Sequence, residues 1–325
     1  MDEKEMTLFE FQNRFASEDD CLDALEKLRW PSGFRCPNCE HDDGYRLTKR
    51  RLIQCSVCRH QTSVTAGTIF HKTTVSLCNW FWMIYLMAQD KGGASSSRIA
   101  KQLGMHYRTV WHQMHKIRHA MACRDEQVIE LAGVIELDEA IFGAEARKPR
   151  TEETKRGKGS NKEKPHRRTK GRPRQDEKRR TEVLVMIESE GDRAGHLVMK
   201  VIDGKTTREA IRETVEQRVE DQRQLFRTDA LQSHWVLKDM GHDVKAVVCS
   251  GELSVHWLPW VHTAISLVRR YLVGTFHGVG ADRLQSYLDE FCFRFNRRFK
   301  ENQITWSLLN ACALALPIQY AELKS

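Results

Sequence analysis

No stretch of this chain stays apolar long enough to cross a bilayer. The longest candidate, Val75–Ala88, has 14 residues and is interrupted by Ser76 and Asn79, whereas a spanning helix needs about 20; it reads as a buried helix. Nor is a secretory leader expected, because the start, Met1-Asp2-Glu3-Lys4-Glu5, is charged and no apolar segment follows it. The chain is therefore expected in the cytoplasm, away from any membrane, with its ten cysteines reduced rather than paired. Positive charge is scarce too, once one segment is set aside. Residues 147–180 hold 16 Lys and Arg against 5 Asp and Glu, a local +11, so the rest of a chain with net charge +8 carries −3. The overall balance, with pI near 9.0, implies an anionic partner, of which nucleic acid is the commonest. Outside 147–180 any basic surface must be patchy. At 325 residues and 40% hydrophobic content there is room for two or three domains with real cores.

Residues 1–30 read as a helical segment, with Leu8, Phe11 and Phe15 and then Leu22, Leu25 and Leu28 at helical spacing, and Ser17 followed by Asp20 as a cap. Residues 31–72 contain Cys36-Pro37-Asn38-Cys39 and, fifteen residues on, Cys55-Ser56-Val57-Cys58. Two CxxC knuckles at this distance are the pattern of a zinc ribbon. Cys36, Cys39, Cys55 and Cys58 supply four soft thiolates to one Zn2+, and a full set of protein ligands makes the site structural. Arg35, Lys49, Arg50, Arg51, Arg59 and His60 surround it, which suits contact with DNA and leaves contact with protein open. Residues 73–125 continue with the buried helix, a short helix over Ser95–Leu103, a turn at Gly104-Met105 and a helix over His106–Met121. Helix, glycine turn and helix is the helix-turn-helix pattern. Its second helix offers Arg108, Thr109 and His112, residue types that read base edges and phosphates; helical hairpins without that role are common.

The low-apolar segment 147–180 reads as a disordered insertion. Within it Lys170-Gly171-Arg172-Pro173-Arg174 resembles the core of a minor-groove AT-hook, with Lys170, Arg172 and Arg174 as DNA-binding side chains; a solubilising charged loop is the alternative. Around the insertion the pattern is strand (Val134–Ala140), strand (Glu182–Glu188), strand (His196–Ile202), helix (Thr206–Arg218), strand (Gln224–Asp229), helix (Leu231–Met240), strand (Lys245–Cys249) and two further helices, Val261–Val273 and Arg283–Arg298. That order resembles a ribonuclease-H-like fold, and the resemblance implies that the first and fourth strands are neighbours. Asp138 and Asp229 each close an apolar run near a predicted strand end. Paired carboxylates suit a phosphodiester reaction run with two divalent cations, which take hard oxygen ligands. Read alone, either Asp is equally a turn residue or a helix cap.

Three motifs carry a closer resemblance: Glu136-Leu137-Asp138-Glu139, Arg227-Thr228-Asp229 and, above all, Trp260–Ser266 leading into Gly274-Thr275-Phe276-His277-Gly278 and then Tyr287–Phe291 and Arg294–Arg298. With these the chain resembles a DDE-type insertion-sequence transposase of the class with an N-terminal zinc ribbon, over nearly its whole length. In that family the third acidic position lies twelve residues before the first Gly of a GTYHG-like motif, which implies His262 here, and a Lys follows seven residues later, where this chain has Arg269. Phe276 replaces the family's Tyr, and the aromatic expected after the second Asp is His234 or Trp235. The implied catalytic set is Asp138, Asp229 and His262 holding Mg2+ or Mn2+, with Arg269 and Arg270 on DNA phosphates.

Read from the residues alone, His262 is a helix-start or core histidine, Glu252 is the rival third ligand, Arg269 and Arg270 form a solvated helix face, and Glu136 and Glu139 point away from Asp138 or sit behind it. An imidazole in place of a carboxylate removes one negative charge, which predicts tolerance for Mn2+.

The expected architecture is thus multidomain: zinc ribbon plus helix-turn-helix followed by a ribonuclease-H-like catalytic domain over 130–325. The implied activity is cleavage and strand transfer at terminal inverted repeats into target DNA, by a homodimer or larger synaptic assembly associated with the nucleoid. The competing reading is a zinc-ribbon DNA-binding regulator that has lost catalysis, motivated by His262 and Arg269.

Overall fold

The computed structural model describes residues 6–143, 180–248, 256–319 and 322. Two short helices open the chain, α1 (Leu8–Arg14) and α2 (Glu18–Arg29). Each is started by a reciprocal capping box, Thr7 with Glu10 and Ser17 with Asp20. A three-stranded antiparallel ribbon follows, β1 (Gly44–Leu47), β2 (Leu52–Cys55) and β3 (Gln61–Thr62). Helix α3 (Leu77–Gln89) is apolar on nearly every side because it is covered on nearly every side: Trp80, Phe81, Met83, Ile84 and Met87 are fully buried. Helix α4 (Ser96–Leu103) ends at Gly104, whose φ of +63° a side chain would resist, and α5 (Tyr107–Val128) leaves the turn. Helix α5 runs seven residues past the expected end at Met121. Its polar extension is held from outside: Asp125 is buried and accepts from Arg297 Nη1 at 2.7 Å and Asn296 Nδ2 at 3.2 Å.

The second unit is a five-stranded sheet made of β4 (Val134–Phe142), β5 (Thr181–Glu190), β6 (Arg193–Ile202), β7 (Leu225–Asp229) and β8 (Asp243–Val247). The spatial order is β6-β5-β4-β7-β8. Strand β5 is antiparallel to both neighbours, while β4, β7 and β8 are mutually parallel. The parallel step between β7 and β8 is thus preceded by a crossover through α6 (Arg208–Arg218) and followed by the long α8 (Pro259–Phe276) and α9 (Leu284–Phe295). Between β7 and β8 the expected helix over 231–240 is reduced to a 3-10 turn at Gln232–Trp235 and a single α-helical turn, α7 (Val236–Asp239). Within it His234 is buried and turned toward Asp229 at the end of β7 and Glu139 of β4. Strand β5 shows why the sheet reads as a continuous apolar run. Val183, Val185 and Ile187 pack under α8 and α9, while Leu184 and Met186 pack on the opposite face with α6 and α7.

The last helix, α10 (Ile304–Leu314), leaves the sheet. Its Leu308, Leu309 and Cys312 join the core built by α1 to α5. The chain therefore has one helical core made from both of its ends and a sheet whose two faces carry separate cores.

Candidate active site and metal centres

Register brings the two aspartates together. Leu137 of β4 stands opposite Thr228 of β7 in a parallel pair, so one step further along both strands come Asp138 and Asp229. Asp229 ends β7. Asp138 does not end β4, contrary to its expected place near the strand end: the strand continues four residues to Phe142, paired there with β5 alone. Among the described residues β7 does not pair with β4 beyond Leu137, one residue before Asp138. Side chains alternate along β4. Glu136, Asp138 and Ala140 lie on the face covered by α8, and Glu139 on the other, with Leu137.

Each of the three acidic side chains has a different partner. Glu136 is fully buried, and its Oε2 accepts from the backbone N–H groups of Trp260 (2.9 Å) and Val261 (3.0 Å), in the first turn of α8. Burial pushes this carboxyl up, and the two helix N–H groups act against that. Asp138 accepts from the Glu139 N–H at 2.9 Å. Burial, followed by repulsion from Asp229 and Glu139, carries it up to about 6, against that N–H bond and the pull of His262. Glu139 Oε1 receives His234 Nε2 at 2.9 Å, and the other ring nitrogen, Nδ1, lies 3.0 Å from Asp229 Oδ1. Burial opposes a charged His234, but its bonds to Asp229 and Glu139 outweigh it and raise it to about 10. Glu139, Asp229 and His234 have ligand atoms that all lie within 4.8 Å of one another.

His262 is the residue after Val261, in the first turn of α8. Among the described residues three atoms around this centre are buried with no hydrogen-bond partner, Glu136 Oε1, Glu139 Oε2 and His262 Nε2. Carboxylates with free lone pairs and an imidazole nitrogen with nothing to bond are a donor set that fits a divalent cation. Arg269 follows His262 by seven residues, two helical turns, so both project from one side of α8. It is exposed and reaches back over Phe142 at the end of β4, 5.9 Å from the ring centre. Arg270 is exposed beside it.

At the ribbon, Cys36 Sγ and Cys58 Sγ are 3.5 Å apart, and Cys39 Sγ and Cys55 Sγ 3.6 Å. A tetrahedron with zinc–sulfur bonds of about 2.3 Å has edges of about 3.8 Å, so the thiols fit the ion. The two knuckles are built alike. The N–H of the first Cys in each donates to the carbonyl five residues on, Cys36 to His41 and Cys55 to His60. The residue after the second Cys is left-handed in each, Glu40 at φ +60° and Arg59 at φ +61°. The His60 amide is the largest influence on Cys58, whose thiol is drawn down to about 6.

Arg108, Thr109 and His112 line an open groove of about 470 Å³ at the head of α5, together with Thr74 and Trp111. Lys170, Arg172, Arg174 and Glu252 lie outside the described residues.

Sequence reasoning missed the charges that join this helix to the sheet. Arg118 of α5 and Glu290 of α9 are both fully enclosed, with Arg118 Nε donating to Glu290 Oε2 at 2.7 Å, and Arg294 donates to the other oxygen of Glu290. Asn296 closes a two-way bond with the backbone of Leu197 on β6, accepting at 2.7 Å and donating at 3.1 Å. A charged residue every four positions on an otherwise apolar helix was the available signal, since Glu290 and Arg294 are spaced to share one buried side of α9.

Residues 130–296 match the family described as ISXO2-like transposase domain, and residues 16–61 match a transposase zinc-ribbon domain. No curated protein matches the chain. Among solved structures, a pre-cleavage Mos1 transpososome is similar at 12% identity and TM-score 0.27, over 71% of this chain and 78% of that one. The Mos1 strand transfer complex is similar at 12% identity and TM-score 0.28, over 72% and 77%.

Proposed function

Because the chain belongs to the family of ISXO2-like transposase domains, we propose that it is a metal-dependent transposase that cuts DNA at the terminal inverted repeats of its element and joins the ends to target DNA. The observation that carries this reading is the registry of β4 and β7, which sets Asp138 beside Asp229 under a helix bearing His262. The sheet order, with its first and fourth strands adjacent, supports a ribonuclease-H-like catalytic domain from residue 130 onward. Asp138, Asp229 and His262 would hold Mg2+ or Mn2+. Bound there, the cations would stabilise the attacking and leaving oxygens of the phosphodiester exchange.

The chain's own contribution is to position and to balance charge. Arg269 and Arg270, exposed on α8, hold the phosphates of the strand being cut. The first step adds water across the terminal phosphodiester and frees a 3′-hydroxyl. In the second, that hydroxyl attacks a target phosphate and expels a target 3′-hydroxyl, so bonds made equal bonds broken. Residues 31–72 form the zinc-bearing ribbon. Residues 73–125 act as a helix-turn-helix in which α5 presents Arg108, Thr109 and His112 to the repeat. Lys170, Arg172 and Arg174 add a sequence-tolerant grip. Two ends must be joined, so a homodimer or larger assembly on DNA, at the nucleoid, is the working form.

The test is cleavage of a DNA fragment carrying the repeat that flanks the coding region, with Mg2+ or Mn2+, by the wild type, Asp138→Ala and Asp229→Ala. Nicking at the repeat end by the wild type alone is expected. Binding of the fragment without cleavage by all three proteins in both metals would sink the catalytic reading in favour of a DNA-binding regulator.

A further inference from the structure

The two glutamates that flank Asp138 on β4 have each gone to a different neighbour, and each neighbour is tied to another member of the proposed site. We propose that Glu136 and Glu139 are positioning residues. Glu136 sets His262 by anchoring the first turn of α8, and Glu139 sets Asp229 by holding His234 against it. This rests on the reading above, in which Asp138, Asp229 and His262 bind the cations.

The Glu136 arm is short and rigid. A fully buried carboxylate accepts two consecutive backbone N–H groups, from Trp260 and Val261, and the next residue is His262. The first four N–H groups of a helix have no partner within it. In α8, among the described residues, no side chain from the preceding Leu258 caps them. The cap comes instead from the strand that carries Asp138. Glu136 and Asp138 are two residues apart on one face of β4, so a single strand fixes one ligand directly and sets the rotation of the helix bearing another.

The Glu139 arm works on the opposite face. The His234 ring is fully enclosed and bridges two carboxylates, 2.9 Å from Glu139 Oε1 and 3.0 Å from Asp229 Oδ1. It occupies Oδ1 of Asp229 from behind. Partners of this kind orient a ligating carboxylate, and their loss typically lowers metal affinity about 10–100-fold. His234 stands in the 3-10 turn Gln232–Trp235 that follows β7, with its ring turned inward.

The experiment is Mn2+ binding to the full-length, zinc-loaded protein, followed by the electron paramagnetic resonance signal of free Mn2+. It compares the wild type with Glu136→Gln, Glu139→Gln, His234→Asn, Asp138→Asn and Asp229→Asn. Asn at 234 keeps a donor toward Asp229 and drops the link to Glu139. Thermal melts give the folded fraction, and affinity is expressed per folded molecule. The expected result is loss of binding in the two aspartate variants and a fall in affinity of about tenfold or more in Glu136→Gln, Glu139→Gln and His234→Asn. In cleavage assays the same three should lower kcat more than they raise KM for DNA. Lower melting temperatures with wild-type Mn2+ affinity in those three, while the aspartate variants lose binding, would overturn the positioning role alone. Wild-type Mn2+ affinity in Asp138→Asn and Asp229→Asn would overturn the site itself.

Discussion

Replacing Glu290 by Gln should cost this protein a large share of its stability. Glu290 is fully enclosed and is the counter-charge to two guanidinium groups, Arg118 from α5 and Arg294 one turn along its own helix. The amide keeps the shape and removes the charge, leaving two buried cations facing each other; among the described residues Arg118 Nη1 and Nη2 and Arg294 Nη2 already lack hydrogen-bond partners. Breaking a buried pair from one side costs about 3–5 kcal/mol, against a total stability of about 5–15 kcal/mol for a typical domain. A fall in melting temperature on the order of 10 °C follows. Urea denaturation monitored by tryptophan fluorescence measures it directly. The control is Asp239→Asn, which removes an exposed ion pair with Arg208 at 3.0 Å and should cost at most about 1 kcal/mol. The pH dependence has a definite sign. Burial pushes Glu290 up, but Arg118 and Arg294 outweigh it and hold the group below the ordinary carboxylate range. Its contribution is therefore complete above the unfolded value of about 4.3 and disappears as pH falls through the lower folded one. The gap between wild type and Glu290→Gln should close in acid. A Glu290→Gln protein within about 1 kcal/mol of wild type at pH 7 would refute the reasoning.

Other outcomes are equally open to measurement. Removing zinc with a chelator should unfold the ribbon, since structural zinc supplies on the order of 10 kcal/mol in comparable small sites; retained β-structure in residues 44–62 by amide exchange would count against it. Gly93→Ala should be far more damaging than Gly104→Ala: both have positive φ, but a Cβ at 93 would collide with the Tyr271 ring while the space at 104 is open. Equal melting temperatures for the two would contradict that. Asn296→Ala should cost about 1–3 kcal/mol by leaving the Leu197 backbone unpaired, read from denaturant midpoints. For His196, the hydrogen bond to Glu188 raises the imidazole, so its contribution is whole below about pH 6.5 and lost as pH rises through the folded value. His196→Ala should therefore destabilise more at pH 6 than at pH 9, and the reverse order would remove the assignment.

Elements with a strong local signal were legible before any coordinates. The CxxC pair, the apolar helix after it, the Gly104 turn, the alternating run of β4 and the apolar runs of β5 to β7 rest on local chemistry, and their bounds shift by only a few residues. What local patterning could not show was decided by distant partners. The polar end of α5 is helical because Asp125 meets Arg297 and Asn296, some 170 residues away. The helix expected over 231–240 is instead a 3-10 turn running into one α-helical turn, and its His234 reaches Glu139 on β4. Within the site, Asp229 was readable as a strand-end carboxylate, Asp138 lies four residues inside its strand, and the parts proposed for Glu136 and Glu139 were not readable. Alternation along a strand sorts its faces, but nothing in it says that one face meets a helix terminus and the other an imidazole.

Helix α10 gives the chain an order of assembly. The core of α1 to α5 is closed by Leu308, Leu309 and Cys312, which emerge from the ribosome about 180 residues after α5 ends at Val128. Until then the first helices expose the face meant for α10, and their packing waits on synthesis of the sheet between them. A chain stopped between the end of β3 at Thr62 and the start of α10 at Ile304 would hold a complete zinc ribbon and an unfinished helical core. Premature products should consequently be poor competitors for the full-length protein and ready substrates for proteolysis.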